Sequence, residues 1–172
     1  MGGDTLLIGY GNSLRGDDAA GPRIAAAVAR WRLPSVRVLI AHQLTPELAA
    51  DLGEASRAVF IDAAPAAGLP AAALRPLAAL PPAERPSPLG HAASPAELLA
   101  LTRALYGRAP ESWWGLVPAE DFRVGAPLSP RARQGARRLL RALRRLLTTL
   151  PEAGPVPDDA SRSSQTSTGT RH

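Results

Sequence analysis

Short apolar runs alternate along the chain with stretches in which apolar residues recur every three or four positions. The short runs, bounded by Gly, Pro or charged residues, predict β-strands, the first of them buried, and the longer spacing predicts amphipathic helices. The predicted strands cover residues 5–10, 36–41, 58–61, about 74–77 and 113–117. The predicted helices cover about 21–30, 45–52, 94–106 and 129–149. This alternation indicates an α/β protein, a three-layer α/β/α sandwich around a mostly parallel, roughly five-stranded twisted sheet.

Signals at helix starts and a change of composition near the C-terminus define the domain. Ser94 followed by Glu97 forms a capping box, and Ser129-Pro130 places a capping side chain before a proline. After the last predicted helix, Pro, Gly, Ser, Thr and charged residues predominate without apolar periodicity. We therefore expect one domain over residues 1–150 and a disordered tail over 151–172.

The positive charge comes entirely from arginine, since all 20 basic residues are Arg and the net charge is +5. The densest basic segment is 131–145, and a nucleic-acid surface is one interpretation of it. Leucines and alanines interleave with these arginines at helical spacing, however, and no aromatic residue for base stacking lies among them. The pattern favours a helix with one buried apolar stripe and one solvated charged face, so we expect no nucleic-acid partner.

The sequence contains no cysteine and no long apolar run. Without Cys the chain forms no disulfide, thiolate metal site or cysteine nucleophile. No apolar run reaches the ~20 residues that span a membrane, and the N-terminus lacks the basic and apolar regions of a signal peptide. We therefore expect a cytoplasmic protein with no membrane partner.

A glycine-rich loop within residues 9–21 connects the first strand to the first helix and raises the question of nucleotide binding. The dinucleotide-binding fingerprint requires a third glycine where Leu14 stands, and a P-loop requires a lysine, which this chain lacks. Asp17 and Asp18 at the start of the helix would also repel a phosphate. Nucleotide binding is therefore disfavoured, and the two acids need another explanation.

Asp17 and Asp18 have a structural explanation, because an aspartate before a helix commonly caps it. Only one residue can be the N-cap, however, so the other carboxylate is expected to be free at the carboxyl edge of the sheet. Asp62 follows the predicted third strand, where it could also serve as a turn former. If the first strand lies between the second and third, Asp18 and Asp62 face one crevice where the strand order reverses.

Three histidines complete the set of candidate residues. His172 lies in the predicted tail, and His42 follows the second strand as a polar strand-end residue. His91 lies on a loop ahead of the capped helix, where a core role is less common for histidine. Two carboxylates and one imidazole suffice for three protein ligands to a divalent metal such as nickel or zinc, with positions left open for substrate.

The arrangement of these motifs resembles the nickel–iron hydrogenase maturation endopeptidases over residues 6–150. The matching segments follow one another in the order found in that family. They are Gly9-x-Gly-Asn-x-Leu-x-x-Asp-Asp-x-x-Gly21, Val59-Phe-Ile-Asp-Ala63, His91 with Glu97, Gly115-Leu-Val-Pro-Ala-Glu120 and Leu128-Ser-Pro130. The first segment is quite specific for the family, whereas the others are informative through their order.

The resemblance implies an endopeptidase, aspartic-type by family classification, that removes the C-terminal peptide from a nickel-loaded hydrogenase large-subunit precursor. It implies that Asp18, Asp62 and His91 coordinate the metal, and that Asp18 and Asp62 serve in catalysis. The precursor would supply the nickel and would be the partner of a monomeric enzyme. Whether a carboxylate or the metal activates water stays open at this point. A non-catalytic metal-binding module or metallochaperone of hydrogenase assembly is the alternative function with the same ligands.

Overall fold

Strands and helices alternate along the two segments that the computed structural model describes, residues 5–78 and 94–149. The strands are β1 (Thr5–Tyr10), β2 (Val36–Ala41), β3 (Arg57–Pro65), β4 (Ala73–Leu77) and β5 (Glu111–Ala119). The α-helices are α1 (Ala20–Ala29), α2 (Leu48–Glu54), α3 (Pro95–Tyr106) and α4 (Pro130–Thr149). Two short 3₁₀ helices cover Gly16–Ala19 and Ala66–Gly68. His91 and the predicted tail lie outside the described residues.

The five strands form one sheet in the order β2-β1-β3-β5-β4. Strands β2, β1, β3 and β5 are parallel, and β4 pairs antiparallel with β5 at one edge. The predicted mostly parallel sheet is therefore confirmed, with β1 between β2 and β3. From β1 the chain passes first to one side of the sheet and then to the other, so the strand order reverses between β1 and β3. Open α/β sheets bind their ligands at this switch point, outside the carboxyl ends of the strands.

Alternating residues of the central strands pack into two separate cores, one on each face of the sheet. Leu7 of β1 belongs to the core under α1 and α4, whereas Leu6 and Ile8 belong to the core under α2 and α3. This two-sided burial explains why the central strands are continuous apolar runs without polar alternation. The three-layer α/β/α arrangement follows directly, because each face of the sheet needs a helical layer to cover it.

Strand β3 is longer than its apolar run predicts. The predicted strand ends at residue 61, but β3 continues to Pro65 because β5 runs beside it in register, from Arg57 opposite Glu111 to Pro65 opposite Ala119. Asp62 therefore lies within the strand, opposite Leu116, and is not a turn residue that ends it. Backbone pairing with a neighbouring strand has overridden the local signal of a polar residue.

The predicted helix boundaries differ in accuracy according to the capping chemistry. The Ser94 capping box is present, with the Ser94 hydroxyl accepting from the Glu97 N–H at 3.3 Å and the Glu97 carboxylate accepting from the Ser94 N–H. Ser129 caps α4 by accepting the Ala132 N–H at 3.1 Å. Helix α2 starts at Leu48, later than expected, because the preceding residues form tight turns in which Leu48 N–H bonds to the Thr45 carbonyl at 3.1 Å.

Helix α4 separates its apolar residues from its arginines, as the periodicity predicts. Its buried face consists of Ala132, Gly135, Leu139, Leu143 and Leu147. Arg131 is half-buried, and the other arginines of 131–145 are exposed. The arginine-rich segment is thus one helix of the core with a charged outer face. In the described part of the chain, no helix is both long enough and apolar enough to cross a membrane.

Candidate functional site

The start of α1 lies in direct contact with the carboxyl ends of β1 and β3. A Cβ atom at Gly21 would lie 2.3 Å from the Tyr10 carbonyl oxygen and 2.6 Å from that of Ile61. Both distances are far below van der Waals contact, so only glycine allows the helix to approach the two strands this closely. The approach brings the loop between β1 and α1 over the switch point, where it carries Asp18 toward β3.

The shape of this loop is set by the motif Gly11-Asn12. Gly11 has a φ of +136°, and a side chain there would lie 2.2 Å from the Asp18 carbonyl oxygen. The Asn12 N–H donates to Asp18 Oδ2 at 2.9 Å, and the Asn12 side-chain oxygen accepts from the Leu14 N–H at 2.9 Å. The motif therefore folds the loop back on itself and fixes the half-exposed carboxylate of Asp18.

Asp17 serves a structural purpose that differs from the expected helix cap. Neither Asp17 nor Asp18 caps a helix by a side-chain bond. The Asp17 side chain is fully buried and accepts backbone N–H groups of Glu120 at 2.8 Å, Asp121 at 3.1 Å and Ser129 at 2.6 Å. The prediction of an N-cap was wrong, because the carboxylate satisfies backbone donors of a distant loop and of the turn before α4.

The hydrogen bonds of Asp17 favour its ionised form. Burial by itself raises the pKa of Asp17, but hydrogen bonds from the Glu120, Ser129 and Asp121 backbone outweigh it and hold the pKa below its usual value. Since hydrogen bonds to the ionised form cause the shift, the carboxylate is stable without a cationic partner. Asp17 ties the first loop to the C-terminal part of the chain, and Asp18 beside it is left free for another purpose.

Asp62 is half-buried on β3 and lies within electrostatic range of Asp18. Its Oδ1 accepts the Ala63 N–H at 2.7 Å. Burial raises the pKa of Asp62, and the negative charge of Asp18 raises it further, while the Tyr10 hydroxyl and the Ala63 N–H lower it. Two carboxylates, one from the first loop and one from the neighbouring strand, thus lie near enough at one edge of the sheet for their charges to interact.

The histidines do not complete this pair within the described part of the chain. His42 is exposed after β2, and His91 lies outside the described residues. Among residues 5–78 and 94–149, no group of three His, Cys, Asp or Glu side chains is placed to hold a metal ion. The described site therefore contributes two carboxylates, and the expected third ligand, His91, stays a prediction from the sequence.

Two residues near the carboxylates were not recognised from the sequence. Tyr10 and Trp114 bury their polar atoms, Tyr10 Oη and Trp114 Nε1, without a hydrogen bond of ordinary geometry in the described part of the chain. Burial and the negative charge of Asp62 raise the pKa of Tyr10 well above its usual range. The only sequence signal was the position of Tyr10 between two glycines at the end of a buried strand, where an aliphatic residue would serve the core equally well.

Comparisons with known proteins show which solved structures share this fold. No family model matches the sequence, and no curated protein matches it in a sequence search. The fold is similar to a [NiFe] hydrogenase maturation protease HycI from Thermococcus kodakarensis, with a TM-score of 0.64 and 18% identity over 85% of this chain and 93% of that one. The chain has the fold of the hydrogenase maturation proteases.

Two further solved structures agree with that assignment of the fold. The hydrogenase maturating endopeptidase HybD from E. coli has a TM-score of 0.64 and 22% identity, over 84% of this chain and 91% of that one. The [NiFe] hydrogenase maturation protease HybD from Thermococcus kodakarensis has a TM-score of 0.59 and 21% identity, over 83% and 98%. The maturation-protease fold that the sequence motifs predict is thus confirmed over nearly the full length of these structures.

Proposed function

We propose that the protein is an endopeptidase that removes the C-terminal peptide from a nickel-loaded hydrogenase large-subunit precursor. The observation that carries the proposal is the convergence of Asp18 and Asp62 at the switch point of a hydrogenase maturation protease fold. Paired carboxylates at the ligand-binding edge of an α/β sheet are suited to acid–base work and to cation binding. The neighbouring Asp17 is fully engaged in the scaffold, so it does not compete for either task.

The two carboxylates have the donor atoms that a nickel-bearing precursor requires. Each accepts one backbone N–H at one oxygen, Asp18 from Asn12 and Asp62 from Ala63. The second oxygen of each accepts no backbone N–H from the described residues and can face a cation. Together with His91, we propose that they complete the coordination of nickel that the precursor carries. Carboxylate and imidazole ligands suit such a divalent ion, which would supply positive charge beside the scissile bond.

Peptide hydrolysis also needs a base that takes a proton from water and an acid that returns a proton to the departing amine nitrogen. Asp18 and Asp62 are the groups of the described site that can carry this proton. The oxygen of the water forms the new bond to the scissile carbonyl carbon as its proton passes to a carboxylate. The bond to nitrogen then breaks as the proton is delivered to the amine. Half-burial deprives Asp62 of part of its hydration, which raises its pKa and makes it a stronger base than a solvent-exposed aspartate.

The test is to incubate the purified protein with nickel-loaded and nickel-free precursor and to weigh the products by mass spectrometry. We expect loss of the C-terminal peptide from the nickel-loaded precursor alone. Asp62→Asn and His91→Ala should abolish processing, and a cooperative thermal transition should show that both variants still fold. His42→Ala is the matched control for His91→Ala and should process normally, since His42 is exposed after β2.

Two results would contradict the proposal in different ways. If the Asp62→Asn and His91→Ala variants fold and still release the peptide at near wild-type rates, neither residue belongs to the working site. If the unmutated protein binds the nickel-loaded cognate precursor but leaves it uncut, a non-catalytic metal-binding module replaces the protease.

A further inference from the structure

The side chains of Tyr10 and Asp62 project from the same face of the sheet on neighbouring strands. Ile8 of β1 lies opposite Phe60 of β3, and both belong to the core under α2 and α3. Side chains alternate between the faces along a strand, so the residues two positions further on, Tyr10 and Asp62, also point to that face. The Tyr10 hydroxyl lies close enough to Asp62 for the carboxylate to act on it electrostatically.

Trp114 extends this pair to a third strand. In the register between β3 and β5, Trp114 lies opposite Phe60, and its ring packs against the same core. Its indole N–H lies near the Tyr10 hydroxyl, and both atoms are buried without a hydrogen-bond partner in the part of the chain that the structure describes. Leaving a buried polar group unpaired costs free energy, so a small adjustment that pairs both groups is favoured.

The chemistry of the three groups fixes the direction of the hydrogen bonds that this adjustment would form. An indole N–H only donates, an ionised carboxylate only accepts, and a phenol hydroxyl does both. Trp114 must therefore donate to Tyr10 Oη, and the Tyr10 hydrogen must point to Asp62. The opposite direction has no donor at one end and no acceptor at the other.

We propose that Tyr10 is a positioning residue, whose hydroxyl donates to the Asp62 carboxylate while Trp114 donates to that hydroxyl and sets its direction. This inference rests on the proposed function for its catalytic consequence. Asp62 Oδ1 is already held by the Ala63 N–H, so a second bond to the carboxylate stops its rotation and fixes the direction of its remaining lone pairs. Groups that orient a ligating or catalytic carboxylate in this way typically change affinity or activity 10–100-fold when they are removed.

The sequence provides a matched pair of variants, because Tyr10 and Tyr106 are its two tyrosines. Tyr106 lies at the end of α3 with 49% of its surface exposed, where it packs its ring against Gly53. With nickel-loaded precursor as substrate, we expect Tyr10→Phe to lower kcat about 10–100-fold with little change in KM. Tyr106→Phe should retain the wild-type kcat. A purely structural Tyr10 would lower the melting temperature of Tyr10→Phe and leave kcat unchanged at a temperature where the variant is folded, and that result would overturn the proposal.

Proton NMR of the unmutated protein tests the hydrogen bond without any substrate. A hydroxyl proton held between Tyr10 and Asp62 exchanges slowly and gives its own resonance, which should disappear in Tyr10→Phe and shift upfield in Asp62→Asn. It should persist unchanged in Tyr106→Phe. If no such resonance exists, or if Asp62→Asn leaves it unmoved, Tyr10 does not donate to Asp62. If the unmutated protein leaves the nickel-loaded precursor uncut, the proposed function fails, while the resonance still decides whether Tyr10 positions Asp62.

Discussion

Replacing Asp17 by asparagine should destabilise the protein far more than the same change at Asp18. The Asp17 carboxylate accepts three backbone N–H groups at 2.6–3.1 Å, whereas Asp18 accepts one. A hydrogen bond to a charged group contributes ~1.5–3 kcal/mol. An asparagine amide has nearly the same shape as the aspartate carboxylate, but its NH₂ group cannot accept a hydrogen bond from the backbone N–H donors. The asparagine carbonyl oxygen can still accept some of these N–H groups, so we expect a loss of about 2–4 kcal/mol for Asp17→Asn and under ~1 kcal/mol for Asp18→Asn.

Urea denaturation and thermal melting measure this difference directly. In a domain of this size 1 kcal/mol corresponds to about 2–4 °C, so Asp17→Asn should melt about 4–16 °C below the unmutated protein. The proposed function adds a second expectation: Asp18→Asn should keep the fold but lose processing. If Asp17→Asn melts within ~2 °C of the unmutated protein, its three hydrogen bonds do not support the loop as we argue. If Asp18→Asn proves the less stable variant, the two neighbouring acids have been assigned the wrong way round.

Three further predictions concern acid stability, close packing and the tail. The folded-state pKa of Asp17 lies below the unfolded value of 3.8, so its stabilisation is complete above that value and is lost as the pH falls through the folded-state pKa. Urea titrations between pH 5 and 3 should therefore show a decline in stability that is weaker in Asp17→Asn. Gly21→Ala should cost about 3 kcal/mol in urea denaturation, because its Cβ meets backbone at 2.3 Å, whereas Gly68→Ala, with nothing within 4 Å, should be nearly neutral. Removal of residues 151–172 should shift the melting temperature by only a few degrees and leave the processing rate unchanged, and a larger loss of either would show that the tail packs on the domain.

Local patterns predicted most of the fold because most of its elements are specified locally. Strands β1 and β2 are apolar runs between breakers, and α3 and α4 combine helical periodicity with a serine cap. The position of β1 between β2 and β3 follows from the handedness of parallel crossovers, which does not depend on the particular sequence. The extent of β3 beyond Ile61 was not predictable in this way, since it depends on pairing with β5, a strand about fifty residues later in the chain.

The candidate site likewise combines features that local sequence signals predict with features that depend on contacts between distant parts of the chain. The approach of Asp18 to Asp62 follows from loop position and strand order, both of which the sequence indicates. The role of Asp17 does not, because its three hydrogen-bond donors lie 103 to 112 residues away. Tyr10 and Trp114 were missed because their meeting depends on the register of two strand pairs, and periodicity within a single strand carries no information about register.

The long-range hydrogen bonds of Asp17 determine when, during synthesis of the chain, the candidate site can form. The donors are the backbone groups of Glu120, Asp121 and Ser129, so Asp17 has none of these partners while the ribosome is still translating the first hundred residues. The Asp17 N–H likewise finds its acceptor, the Asp121 carbonyl, only at that stage. Elements with contacts this distant along the chain form late in folding. The loop that presents Asp18 is therefore completed only when α4 begins to emerge, and on the proposed function an incomplete nascent chain would lack a finished proteolytic site.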